Sequence, residues 1–272
     1  MPLLDIRHLS VSYNSEANWA LKDVSFTAEE GELIIVAGPS GCGKSTLAQT
    51  ILGLIPMFIG AKVDGIIKIR GKLLDEFPKK QIIETMGYVP QYPADYTTSL
   101  LVEEEVAFLL ENLAYTPKEI HSRITQVLNQ LDISELRYKL ITELSSGELQ
   151  RVAISNVLAH QPPILILDEP MARIDPKSEI KLVHILKDLT RKGHLILAFE
   201  HRLDYLLPVA DRLLLLDNGK LIGNNKPETL LDEIKDVDLP EVSEIQWPAN
   251  KKRSLTIEEA QSTLLTLINE KQ

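Results

Sequence analysis

The chain has 272 residues, 44% of them hydrophobic, and a formal net charge of −10. Such a chain can bury a large core, and its acidic balance disfavours nucleic acid or anionic lipid as the main partner while leaving a basic protein partner open. The longest apolar run, ILGLIPMFIGA at residues 51–61, is interrupted by a proline and falls well short of the ~20 residues a membrane helix needs.

The N-terminal region reads as short strands separated by turn-forming residues: LLDIRHLSVSY (3–13), LKDVSFTA (21–28), GELIIVAG (31–38) and DGIIKIRGK (64–72). The pattern predicts an antiparallel β layer attached to a parallel core. No signal-peptide pattern opens the chain, which favours a cytoplasmic site. Within this region IIVAGPSGCGKSTLAQTIL (34–52) runs from a β-branched segment through a turn of small residues into a helical pattern. Its centre fits G-x-x-x-x-G-K-[ST], with Gly38, Pro39, Ser40, Gly41, Cys42, Gly43, Lys44 and Ser45 in order and Thr46 next. Glycines at three of these positions can take positive φ and let backbone amides point at phosphate oxygens, while the helix starting near Lys44 adds the positive end of its dipole. Lys44 would reach the β- and γ-phosphates, and the Ser45 hydroxyl would ligate Mg²⁺. The motif predicts a bound nucleotide without stating its purpose. The single cysteine, Cys42, reads as a small filler of this loop rather than a nucleophile.

From about residue 98 to 160 the spacing becomes helical, predicting an insertion between core strands. LLVEEEVAFLLENL (100–113) places Val102, Val106, Leu109, Leu110 and Leu113 near one face, and TPKEIHSRITQVLNQLDI (116–133) is a proline-initiated helix. The core resumes with PILILDEP (163–170), HLILAFEH (194–201) and DRLLLLDNGK (211–220), the continuous apolar runs expected of strands covered on both faces. The first of these ends in Asp168 and Glu169. A buried strand ending in acids is where a P-loop fold places its metal ligand, so Asp168 suits Mg²⁺. Glu169 would accept a proton from a water attacking the γ-phosphate. The fold class expected is α/β: a P-loop NTPase core with a parallel sheet, an N-terminal antiparallel β subdomain and a helical insertion subdomain.

Four further segments follow in a fixed order: YVPQYP with Gln91, ELSSGELQRVAISNVL with Ser145, Ser146, Gly147 and Glu148, ARIDP with Asp175, and LAFEH with His201. Residues 3–225 thereby resemble the nucleotide-binding subunit of an ATP-binding cassette protein. The resemblance implies that Gln91 senses the γ-phosphate and the transmembrane partner and joins the metal ligands, that Ser145–Glu148 cap ATP bound to the opposite subunit, and that Asp175 crosses the dimer interface. It also implies that His201 positions the γ-phosphate and the attacking water. A signature turn opening a helix repeats the anion logic of the glycine loop, so two half-sites need two chains. Tyr13 stands where the family puts an aromatic that stacks on adenine; a half-buried strand tyrosine is the alternative. This sequence departs from the common family form in two places, with LSSGE for LSGGQ and PMARIDP for P-T-S-A-L-D-P. Met171 and Arg173 thus enter the interface loop, which implies a complementary partner chain or an atypical contact.

VEEEVAFLLEN (102–112) is similar to the helix after the glutamine loop in energy-coupling factor transporter ATPases. There the acidic residues meet arginines of the membrane coupling subunit; a solvated helix start is the other reading of Glu103, Glu104 and Glu105. The resemblance implies an ATP-hydrolysing motor on the cytoplasmic face of a membrane, importing a vitamin, a vitamin precursor or a transition-metal cation. Its partners would be a second ATPase subunit, a transmembrane coupling protein and a substrate-binding membrane protein, with no nucleic acid. A soluble cassette ATPase of the iron–sulfur assembly type is the alternative, and a P-loop kinase is disfavoured by the signature and His201. Residues 226–272 form a C-terminal extension, in which a capping box of Thr256 and Glu259 and the apolar Ile257, Leu264, Leu267 and Ile268 predict a terminal helix after a basic linker.

Overall fold

Five consecutive apolar residues are buried on both faces only inside a covered sheet, and Leu33–Ala37 occupies such a position. In the computed structural model, which describes residues 1–13, 19–203 and 205–230, the strands in chain order are β1 (Leu4–Ser12), β2 (Trp19–Ala28), β3 (Leu33–Ala37), β4 (Lys62–Ile69), β5 (Lys72–Leu73), β6 (Met86–Val89), β7 (Ile164–Asp168), β8 (Leu195–Phe199), β9 (Arg212–Asp217) and β10 (Lys220–Asn225). The helices are α1 (Lys44–Ile51), α2 (Leu54–Met57), α3 (Lys79–Thr85), α4 (Val102–Asn112), α5 (Pro117–Gln130), α6 (Ser146–Leu158), α7 (Pro176–Arg191) and α8 (Pro227–Leu230).

One sheet is antiparallel, in the order β2-β1-β4-β5. The other has the order β10-β9-β3-β8-β7-β6 and is parallel except for β10. GELIIVAG therefore parts from the N-terminal strands that surround it in sequence and enters the parallel sheet. Its alternate residues serve two cores: Leu33, Ile35 and Ala37 join the helical side, whereas Ile34 and Val36 face the antiparallel layer. β7, β8 and β9 divide in the same way, as with Leu165 and Leu167 against Ile164 and Ile166. Each fully buried Leu or Ile contributes roughly 1.5–3 kcal/mol, so these central strands are the rigid element on which the loops are held. β10 returns through Asn218 and Gly219 at φ 46° and 78°, the left-handed pair of a two-residue hairpin, and DNGK carries that signal in the sequence.

In the helical insertion, α4, α5 and α6 close around Val106, Leu110, Val127, Leu128 and Val152. The Thr116–Glu119 capping box starts α5 as its proline-initiated pattern requires. The apolar face of α4 departs from expectation at two points: Leu109 is half-buried, and Glu105 is buried. The terminal helix expected from Thr256 to Ile268, and the basic linker before it, lie outside the described residues. Among the described residues no helix is long and apolar enough to cross a membrane.

The strand order has a direct consequence for chemistry. β3, β8, β7 and β6 lie side by side, and past their carboxyl ends come the glycine loop, His201, Asp168 with Glu169, and Gln91. Ligands of open α/β sheets bind at this edge.

Candidate nucleotide site

The glycine loop turns sharply after β3. Gly38, Gly41 and Gly43 all have positive φ, at 152°, 77° and 113°. Two of them also have no room for a side chain: a Cβ on Gly38 would lie 2.1 Å from the Leu216 carbonyl oxygen, and one on Gly43 2.6 Å from that of Ala20. Gly43 caps α1 with no side-chain acceptor, so the first amides of the helix are left for another acceptor. Lys44 Nζ donates to the carbonyls of Gly38 (2.6 Å) and Pro39 (3.2 Å), folding its charge over the loop. Cys42 is buried, and burial pushes its thiol pKa up, which fits a filler and not a nucleophile.

An open cleft of about 620 Å³ lies over this loop, lined by Tyr13, Ser40, Gly41, Gly43, Lys44 and Ser45, with Ala20, Thr46, Gln91, Glu169 and His201 completing it. Tyr13 lies just past the end of β1, and its hydroxyl is 3.1 Å from Thr46 Oγ1; both features leave the ring at the cleft wall. Glu169 sits where the chain reverses after β7, at φ 48°, and its amide donates to the Phe199 carbonyl oxygen at 2.8 Å. The Gln91 side-chain amide donates to the Glu169 carboxylate, and His201 Nε2 lies 3.8 Å from the same carboxylate oxygen. Asp168 is half-buried and accepts from the Tyr88 hydroxyl at 3.2 Å. Burial pushes its pKa up, the Glu169 charge adds to this, and the Tyr88 hydrogen bond opposes it. Tyr88, on the neighbouring strand β6, is a contact the sequence did not signal.

The signature residues are elsewhere. Among the described residues, Ser145, Ser146, Gly147, Glu148 and Asp175 are absent from the cleft lining. Ser145 caps α6 in a reciprocal box: Ser145 N and Oγ each donate to Glu148 at 2.8 Å, and the Glu148 amide returns a bond to Ser145 Oγ. The glutamate that replaces the family glutamine thus has a local role, and the Ser145 hydrogen bonds hold its pKa down. Ser146 is exposed. A Cβ on Gly147 would lie 2.4 Å from Ser178 Oγ, so α6 and α7 approach too closely there for a side chain. Asp175 caps α7 through the amides of Lys177 and Ser178, both at 3.1 Å. The two helix starts therefore form one corner.

The acidic triplet requires a correction. Glu103, Glu104 and Glu105 do not form one outward patch, because each is engaged within the chain. Glu103 pairs with Arg137, and Glu104 accepts from the Leu101 amide that precedes α4. Glu105 is buried and accepts from the Thr98 and Ser99 amides and from Asn156 Nδ2, at 3.0–3.1 Å. Beside them lies a hollow of about 690 Å³ lined by Leu100, Glu103, Glu104, Phe108, Glu111 and others.

The family described as ABC transporter matches residues 21–172. The Bacillus subtilis protein named for HMP/thiamine import, YkoD, is 39% identical over 219 residues, which are 80% of this chain and 40% of YkoD. The chain likewise spans less than half the length of relatives from Methanosarcina mazei (39%) and Treponema denticola (48%). Among solved structures, cbiO1 from Clostridium perfringens, described as part of the ABC transporter complex cbiONQ, is similar with a TM-score of 0.76 and 29% identity over 85% of this chain and 91% of that one. The dimeric bacterial ABC transporter cassette MJ0796 gives a TM-score of 0.70 at 25% identity, over 82% and 98% of the two chains. Because the family match covers more than half of the chain and takes in the glycine loop, Gln91, the signature turn and the Asp168–Glu169 pair, this chain belongs to the ABC transporter ATP-binding proteins.

Proposed function

We propose that this chain is the ATP-hydrolysing motor subunit of a membrane importer of the energy-coupling factor type, working at the cytoplasmic face of the membrane. The observation that carries the reading is the gathering of Lys44, Ser45, Gln91, Glu169 and His201 around one glycine loop. The loop amides and Lys44 would hold the phosphates, and the Tyr13 ring would offer adenine a stacking face. Ser45 and Asp168 suit Mg²⁺, which would supply positive charge against the phosphate oxygens. Among the described residues no cluster of three or more His, Cys, Asp or Glu could hold a metal alone, so such a site would draw further ligands from phosphate and water, as Mg²⁺ sites usually do. Glu169 takes a proton from the attacking water as its oxygen bonds to the γ-phosphorus and the bond to ADP breaks. His201, beside the same carboxylate, orients the water and the phosphoryl group.

The import reading draws on two likenesses, to the protein named for HMP/thiamine import and to cbiO1 of the cbiONQ complex. It makes a vitamin, vitamin precursor or transition-metal cation the cargo class. A second ATPase subunit would bring its own signature turn to this cleft, since Ser145–Glu148 do not line it. A membrane coupling protein would dock at the hollow beside α4, with a substrate-binding membrane protein completing the assembly.

Glu169→Gln keeps the shape of the side chain and removes the base. It is expected to bind ATP normally and to lose ~10²–10⁴ in turnover, whereas Lys44→Ala should weaken binding itself. Phosphate release and fluorescent-nucleotide titration on the two variants check this. Parental turnover in Glu169→Gln overturns the assignment of the base.

A further inference from the structure

Glu200 directly follows β8, is 1% exposed, and forms no ion pair within 4.0 Å among the described residues. A buried carboxyl with no counter-ion is costly, and burial pushes this one up to about 8. One of its oxygens is nevertheless used: Oε1 accepts from the Met171 amide at 2.8 Å. Met171 belongs to the turn that begins at Glu169, closed by Ala172 N donating to the Glu169 carbonyl oxygen at 3.0 Å. Both Glu169 and Arg173 in this segment are left-handed, at φ 48° and 62°, a conformation that favours release for residues with a Cβ unless the surroundings hold it. One residue past His201, Arg202 reaches Glu179 at the start of α7, 3.2 Å away and itself 2% exposed.

We propose that Glu200 is a positioning residue that ties the turn carrying Glu169 to the loop carrying His201 by accepting the Met171 amide. The inference rests on the roles proposed above for Glu169 and His201. Without this acceptor the Met171 amide would lose its partner in a buried place, and the strained turn could relax away from His201. Small displacements of reacting groups are costly, about 10²-fold for an ångström. What matters on this account is the reach of an acceptor oxygen and not its charge.

The experiment separates reach from charge in the full chain. Glu200→Gln keeps the length and an acceptor oxygen but cannot ionise; Glu200→Asp keeps the charge but falls one methylene short. The expected result is kcat within about 3-fold of the parent for Gln and a loss of ~10–100-fold for Asp, with KM and ATP affinity nearly unchanged in both. Parental kcat in Glu200→Asp overturns the proposal. So does a Gln variant as impaired as the Asp variant, or a loss that appears in ATP affinity instead of kcat. If either variant fails to fold, the other still decides, since each has its own predicted kcat. Glu169→Gln measured in parallel keeps the two readings apart: its full activity would remove the assigned base, while the Gln–Asp contrast at position 200 reports on the tie alone.

Discussion

At the scale of single residues, the side chains with a fixed place in a spacing pattern were legible in the sequence, and those defined only by a neighbour in space were not. Lys44, Ser45, Asp168 and Glu169 follow from motif and strand end, and they meet at one edge because β3 and β7, which carry them, run parallel on either side of β8. Tyr88 and Glu200 belong to no pattern; their importance arises from contacts across strands and loops. Glu200 also has a signature in stability. Its carboxyl ionises near 4.5 when exposed and near 8 in the folded chain, so between those values the folded state holds the extra proton. The linkage slope is then negative: the contribution is full below 4.5, falls as pH rises, and is gone above about 8. The charges that act on it are Glu169, which reinforces the shift, and Arg202, which opposes it and is itself paired with Glu179. Glu200→Gln has no such slope, so thermal melts should show it gaining on the parent from pH 5 to 8 and then running parallel. A constant difference across that range would refute the shift.

At the scale of elements, hydrophobic period located β3, β7, β8 and β9 and the helical insertion, because burial on one or two faces writes itself into spacing. It misjudged α4, where a glutamate occupies a buried position. The reason is local. The segment before α4 has free amides at Thr98 and Ser99, and the Glu105 carboxylate satisfies both while reaching Asn156 on α6. α4 therefore has acids of two kinds. Glu105→Ala should cost about 1–3 kcal/mol by leaving buried donors unmatched, measured by denaturant unfolding. Glu104 and Glu111 are exposed on the rim of the hollow, and changing both to glutamine should alter stability by under about 1 kcal/mol. If basic groups of a membrane partner dock there, the double variant should lower copurified complex at least ~10-fold, the equivalent of 1.4 kcal/mol. Equal complex yield from parent and double variant would remove the hollow as the docking place. The replacement of a family glutamine by Glu148 has a similar element-level explanation, since either residue can close the box that starts α6.

At the scale of the whole molecule, the α/β class and the insertion were readable, but the strand order was not: nothing in spacing places β8 between β3 and β7. Nor does spacing reveal that the helix starts at Ser145 and Asp175 meet in one corner, although the family resemblance already put the signature turn apart from the chain's own cleft. That separation bears on assembly. Glu169→Gln with ATP should run as a dimer in light scattering, as hydrolysis no longer empties the site, and adding Ser145→Arg should abolish the dimer without changing nucleotide affinity. A dimer that survives Ser145→Arg would mean that the corner faces something other than a second cleft. One contact also bears on how such a motor rests. The amide of Gln91 sits on the carboxylate of Glu169, occupying an oxygen that would otherwise receive the water's proton, and the strand and loop around Gln91 lead directly into the segment bordering the α4 hollow. Movement of that segment that lifted the amide away would free the oxygen for the proton, so the timing of the chemical step would be set at Gln91 as well as at the phosphates.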